Sequence, residues 1–177
     1  MSDYERRKVK LRTFNSAADF VTAEGEHLGV SGWLQVVQPM VDQFAEVTGD
    51  RQWIHTDSVK AANGPFGAPI AHGFLLLSLV PMMLSEIIEI HDMDLMLNSK
   101  LREVSFDAAV TVGTFVQLSA ELHAVYPRKL LTTAELNLTM AVSDKASLGP
   151  QDRVCLRAMQ TLIVRSKRSN RTGADIG

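Results

Sequence analysis

One cysteine, Cys155, stands in a chain of 177 residues, so neither an intrachain disulfide framework nor a thiolate metal cluster is available. A reducing compartment is implied, and a cytoplasmic protein is expected. Charge of one sign is lacking too. Eighteen Lys and Arg face twenty Asp and Glu for a net charge of −2, which leaves no field to gather a nucleic-acid backbone. The longest apolar stretch, Phe74 to Leu84, contains Ser78 and Pro81 and falls short of the roughly 18 residues a membrane span requires. Met1 to Leu11 mixes acids and bases without an apolar core, so no secretory leader is expected. Four chemical signatures are missing: GxGxxG, a Walker loop, a GxSxG elbow and HExxH. Their absence argues against dinucleotide, nucleotide-phosphate, serine-hydrolase and zinc-protease chemistry.

What is present suits one packed domain across 1–177, since 46% of the residues are apolar. The ends, about 1–10 and 166–177, are polar and are expected to fray. Gly32 to Val37 reads as a short strand. Gln38-Pro39 then opens a helix, with Met40, Val41, Phe44 and Ala45 on one face, and Gly49 stops it. A polar stretch follows, in which Asp57 caps the short segment Ser58 to Ala62. Phe74 to Ile90 is apolar almost all round, which predicts a long helix buried on most sides and kinked at Pro81. His91, Asp92 and Asp94 read as a solvated turn after it.

From Lys100 onward the period changes to two. Val116, Leu118, Ala120 and Leu122 alternate with polar residues, as do Thr132, Ala134, Leu136, Leu138 and Met140. Val154, Leu156, Ala158, Leu162 and Val164 form a third run, with Gln160 out of pattern and Cys155 as an inert wall residue. Breaks at Tyr126 to Lys129 and at Ser143 to Gln151 join these runs as antiparallel neighbours. The expected fold is therefore α+β, an antiparallel sheet wrapped around one long apolar helix: the hot-dog arrangement.

The chemistry concentrates between Thr48 and Phe74. Asp50 and His55, five apart, would point roughly 140° apart on a helix, but Gly49 ends the helix and lets a loop bring them together. Such a pair can move a proton on and off a water, since histidine titrates near neutrality and a carboxylate holds its tautomer. The plainer alternative is that Asp50 terminates a turn and His55 is a polar loop residue. His72 reads as a structural histidine satisfying loop carbonyls. A zinc site from His55, Asp57 and His72 lacks supporting spacing. Gly73, at the start of the apolar helix, can present a free backbone N–H to a substrate carbonyl, or simply permit tight entry into the helix. Ser78 is an isolated hydroxyl, and in a buried helix such a group usually bonds back one turn.

These residues resemble a known family. Phe44-Ala45, Thr48-Gly49-Asp50, Gln52-Trp53-Ile54-His55 and Asp57, followed by Gly64-Pro65-Phe66-Gly67 and Ile70-Ala71-His72-Gly73-Phe74, are similar to the MaoC-like, or (R)-specific enoyl-CoA hydratase, family. The likeness reaches upstream to Gly29–Trp33 and downstream to Asn98. It implies a hot-dog homodimer, or a higher oligomer of dimers, that reversibly hydrates a trans-2-enoyl-CoA to a (3R)-hydroxyacyl-CoA. It implies Asp50 and His55 as the catalytic pair, Gly73 as backbone donor to the thioester oxygen and Ser78 as a helix serine beside the site. No metal or redox cofactor is implied, and coenzyme A enters as part of the substrate. Two departures stand out: Gln52-Trp53 replaces a common Asn-Pro, and Ser105 stands where one branch often carries arginine. Two other readings fit the same fold, an acyl-CoA thioesterase and a non-catalytic acyl-thioester-binding subunit. The latter would be expected to have lost Asp50 or His55.

Overall fold

A computed structural model of the chain describes residues 11–129, 131–146 and 153–167. The described residues open with β1 (Arg12–Ser16), the short helix α1 (Ala17–Phe20), β2 (His27–Val30) and β3 (Leu34–Gln35). Three helices follow: α2 (Gln38–Thr48), α3 (Trp53–Thr56) and α4 (Ser58–Ala62). The central helix α5 (Gly73–Leu84) then leads into four long strands, β4 (Ile88–Phe106), β5 (Phe115–Arg128), β6 (Leu131–Ser143) and β7 (Arg153–Ser166). The strands form one sheet in the order β1-β4-β7-β6-β5-β2, with β3 also on β5. The long pairs are antiparallel as their alternation predicts. The exception is β1, which runs parallel to β4 through Arg12–Ile88 to Ser16–Asp92.

Alternation decides which side of the sheet is apolar. Leu118 and Leu122 on β5, Leu136, Leu138 and Met140 on β6, and Leu156 and Leu162 on β7 are essentially inaccessible to solvent. They form one cluster with Leu75, Leu76, Val80, Met83 and Leu84 of α5. Each such leucine contributes roughly 1.5–3 kcal/mol relative to exposure. The expectation of a helix buried on most sides holds for that face, but Phe74, Ser78, Pro81 and Met82 remain exposed. Cys155 is the inert wall residue expected, with burial pushing its thiol up to about 12.

Several boundaries differ from the sequence reading. The helix over Phe74 to Ile90 stops at Leu84, and Ile88 already belongs to β4. The run Ile87-Ile88-Glu89-Ile90 is β-branched and alternates buried with exposed at Ile88–Ile90, so it suits an extended chain better than a helix. His91, Asp92 and Asp94 consequently lie within β4 rather than in a turn. Tyr126, Pro127 and Arg128 do not break β5; Pro127 pairs with Thr132. Proline is tolerated there because β2 covers β5 only at Ser119–Glu121, leaving that part of β5 without a strand on its other side among the described residues. The strand foreseen over Gly32 to Val37 shortens to Leu34–Gln35. Ser166, placed in the frayed end, still pairs with Met93, while most of both ends and most of the loop after Ser143 lie outside the described residues.

One glycine decides how the chain leaves α2. Gly49 adopts φ 77, left-handed, and its N–H donates to the Ala45 carbonyl to close the helix. A Cβ added there would meet nothing within 4 Å, so only the backbone conformation opposes a side chain. Gly49→Ala is therefore expected to lower stability by about 1–2 kcal/mol in denaturant unfolding. A loss below a few tenths of a kcal/mol would contradict the left-handed cap.

Candidate active site

The turn at Gly49 is followed by Asp50, Arg51 and Gln52 and then by α3, whose single turn carries His55. Two separate segments hold this region. Gln38 at the start of α2 donates its side-chain amide to the His55 carbonyl at 2.7 Å. On the other side the Ile70 N–H donates to the Ile54 carbonyl at 3.0 Å, and His55 Nδ1 meets the Ile70 carbonyl at 2.7 Å. The segment around Ile70 is itself tied down, because Ala71 N–H donates to the Val110 carbonyl and Val112 N–H donates to the Pro69 carbonyl, both at 2.8 Å. Main-chain bonds thus tie the position of His55 to the segment between β4 and β5.

A carbonyl only accepts, so Nδ1 of His55 carries the proton and Nε2 is left with a free lone pair. His72 is arranged the opposite way round. Its Nε2 meets the Asp50 carbonyl at 2.9 Å and must donate, which leaves Nδ1 bare, and Nδ1 is buried without a hydrogen-bond partner. The two rings stack with centroids 3.7 Å apart and planes 24° from parallel. Both histidines are buried, while the Asp50 carboxylate opens to solvent. Gln52 donates its side-chain amide to Asp50 Oδ1 at 3.1 Å, and the Asp50 N–H donates to Thr48 Oγ1 at 3.4 Å.

The electrostatics follow from those contacts. The Gln52 amide, and after it the two imidazoles, hold Asp50 below the usual carboxylate range. Burial is the first cause that pushes His55 below its ordinary value; the Ile70 carbonyl opposes this, the His72 ring adds to it, and Asp50 opposes it more weakly. The resting pair is a charged carboxylate beside a neutral imidazole. One ligand-type atom from each of Asp50, His55 and His72 lies within 4.8 Å of the others. A water donating to two acceptors at about 2.8 Å each spans about 4.5–5 Å, so a water fits between such groups.

The same three residues are the described group that could be considered for a metal, with Asp50 in place of the Asp57 weighed in the sequence. Asp57 instead caps α4, accepting from the Lys60 N–H at 2.9 Å. Imidazole lone pairs lie in the ring plane, and two rings stacked 24° from parallel do not aim theirs at one ion. The geometry suits a water better.

Gly73 adjoins this cluster as the first residue of α5. His72 is the N-cap and makes no side-chain capping bond, so the first-turn N–H groups are not covered by it. The ring of Phe106 lies over Gly73, and a Cβ there would stand 2.8 Å from that ring. Ser78 sits apart from these contacts: its hydroxyl donates to the Phe74 carbonyl at 2.7 Å. Among the described residues no hydrogen bond joins Ser78 to Asp50, His55 or His72. Asn98 accepts from the Gln160 amide, and Ser105 lies in β4 opposite Arg157. The structure thus brings Asp50 and His55 together with Gly73 alongside, and adds His72. The reading of His72 as a structural histidine satisfying a loop carbonyl holds in its bond to Asp50, whereas its stacking on His55 was not foreseen in the sequence.

Residues 19–142 match the model of the MaoC-like domain. The chain belongs to the MaoC-like family. It is 44% identical over 115 residues to 3-hydroxyacyl-thioester dehydratase Z of Mycobacterium tuberculosis, covering 65% of this chain and 76% of that one. It is 36% identical over 138 residues to nodulation protein N of Rhizobium leguminosarum, covering 75% of this chain and 86% of its relative. Among solved structures, an (R)-hydratase from Pseudomonas aeruginosa superposes with a TM-score of 0.65 at 16% identity, over 87% of this chain and 92% of that one. That likeness concerns the fold, and it confirms the hot-dog architecture of this MaoC-like chain.

A direct check of the site's charge state is available by NMR titration of the histidine rings. His55 is expected to protonate below the ordinary midpoint of about 6.5. The sign for stability follows: as pH falls below about 6.5 the unfolded chain binds the proton first, so His55 destabilises the fold progressively there, and the effect is absent above it. A His55 midpoint at or above 6.5 would contradict the assignment.

Proposed function

We propose that this MaoC-like protein reversibly hydrates a trans-2-enoyl thioester to the (3R)-3-hydroxyacyl thioester, with coenzyme A carried on the substrate. The observation that carries the reading is buried His55, its Nδ1 bonded to the Ile70 carbonyl and its Nε2 left bare, with a ring nitrogen within 4.8 Å of a carboxylate oxygen of the charged Asp50, ahead of the helix that begins with Gly73. Family membership and the named dehydratase relative support the reaction class.

In the proposed mechanism a water donates to the Asp50 carboxylate and to His55 Nε2, leaving its oxygen lone pair for C3. The C3–O bond forms as the C2=C3 π electrons move toward the thioester carbonyl. The Gly73 N–H, unpaired at the helix start, stabilises the enolate-like oxygen. The proton taken from the water returns to C2, so one water supplies both new bonds. No redox step occurs and no metal is needed, because hydrogen bonding to the thioester oxygen acidifies C2. Ser78, on the exposed stripe of α5, is proposed as a residue beside the substrate. A cytoplasmic location is supported by the buried free thiol of Cys155; no described helix is long and apolar enough to cross a membrane.

The partner is proposed to be a second copy of the chain. Beyond Asp92, β4 has no strand on its other side among the described residues. Leu97, Leu101, Val104 and Phe106 along it are exposed, as are Phe74 and Met82 of α5, and Phe74 meets Phe106 at 5.7 Å. A free apolar edge invites edge-to-edge pairing, and a twofold partner closes it. Light scattering at micromolar concentration is expected to give twice the monomer mass or a multiple of it; a stable monomer would contradict this.

Crotonyl-CoA separates the chemistries. Hydration removes the conjugated absorbance and yields 3-hydroxybutyryl-CoA, whereas a thioesterase releases free thiol. Asp50→Asn is expected to lower hydration about a hundredfold or more with the melting temperature unchanged. Ser78→Ala is expected to lower turnover while costing about 1 kcal/mol or less of stability. Wild-type turnover in Asp50→Asn would overturn the mechanism, and normal turnover in Ser78→Ala would remove that residue from the site.

A further inference from the structure

His72 has no task in the mechanism above, yet it touches both residues that do. It is 3% exposed, stacks on His55, and has Phe44 packed against it at 5.1 Å between ring centroids. Its bare Nδ1 is buried without a partner. An unpaired buried acceptor is costly, and an apolar side chain would fill the same space without that cost. What the imidazole supplies in return is the Nε2–H bond to the Asp50 carbonyl and a flat polar ring against His55.

We propose that His72 is a positioning residue for the Asp50–His55 pair: its Nε2–H pins the Asp50 main chain, and its ring holds the His55 imidazole with Nε2 toward the water. Without the pin, Asp50 is held by the Gln52 amide at its exposed carboxylate and, on its main chain, by a long 3.4 Å bond from its N–H to Thr48 Oγ1. The loop after the left-handed Gly49 would then sample orientations in which carboxylate and imidazole no longer share one water. The activity arm of this proposal rests on the hydration reading, and a second arm does not.

The two contributions can be separated by substitution. Glutamine places its amide nitrogen close to where histidine carries Nε2, so His72→Gln keeps the donor and loses the ring. His72→Phe keeps a flat ring and loses the donor. If the pin matters most, His72→Gln retains turnover within about tenfold, and His72→Phe falls about a hundredfold in kcat with KM changed less than about threefold. Equal losses in both variants in step with lowered melting temperatures would make His72 a packing residue and overturn the proposal. So would full activity in His72→Phe. If His72→Phe fails to fold, the glutamine variant decides alone: a loss well beyond tenfold overturns the pin.

The second arm reads His55 without turnover. The titratable groups acting on His55 are Asp50, which favours its charged form, and His72, which disfavours it; Asp42 of α2 reaches it only through Gln38, bonded to the His55 carbonyl. Glutamine cannot carry charge, so His72→Gln is expected to raise the NMR midpoint of His55 above that of the wild type. An unchanged midpoint overturns the coupling of the rings. Were the wild-type protein inactive on enoyl thioesters, the hydration reading would fail while this titration still tested His72.

Discussion

Two main-chain carbonyls set the chemistry of this protein. The Ile70 carbonyl takes the proton of His55 Nδ1, and the Asp50 carbonyl takes that of His72 Nε2, so each ring is locked in the opposite tautomer. A rotated His55 would present N–H, rather than a lone pair, to the space beside Asp50. Since the carbonyls belong to the backbone, their positions depend on the bonds that fix the backbone. For Ile70 these run to Val110 and Val112 through its neighbours, just ahead of β5. For Asp50 they begin at the left-handed Gly49 that ends α2. The sheet and the helix are in this sense the rigid frame of one small proton-handling site.

The division of burial completes that arrangement. His55 is removed from water and kept neutral, while Asp50 faces solvent and stays charged, with the Gln52 amide holding it so. A neutral base next to a permanent carboxylate can accept a proton from water and return it, the carboxylate offsetting part of the cost of charging a buried imidazole. A glycine at the adjacent helix start lets a carbonyl come close to unpaired N–H groups. Phe106 against that glycine limits the space from the sheet side.

Much of this was legible in the residues. Pro39 and Gly49 bound α2 because each has a strong local reason to sit at a helix end, and Asp57 caps α4 for a reason equally local. The alternation in β5, β6 and β7 was legible because one face of each strand packs on α5 and the other does not. The start of β4 was not, because Ile87, Ile88 and Ile90 continue the apolar run of α5, and only their β-branching and Glu89 mark the change. At the site, Asp50 and His55 could be read as a pair once Gly49 broke the helix. The stacking of His72 on His55 could not, since it joins residues seventeen apart through a loop whose path is set by bonds to the segment after β4.

The measurement that bears most directly on these carbonyl-set tautomers is long-range proton–nitrogen NMR of the imidazoles in nitrogen-15-labelled protein near pH 7. His55 is predicted to show a protonated Nδ1 and a bare Nε2, and His72 the reverse. A His55 ring protonated at Nε2 would leave no lone pair for the water and would contradict the account.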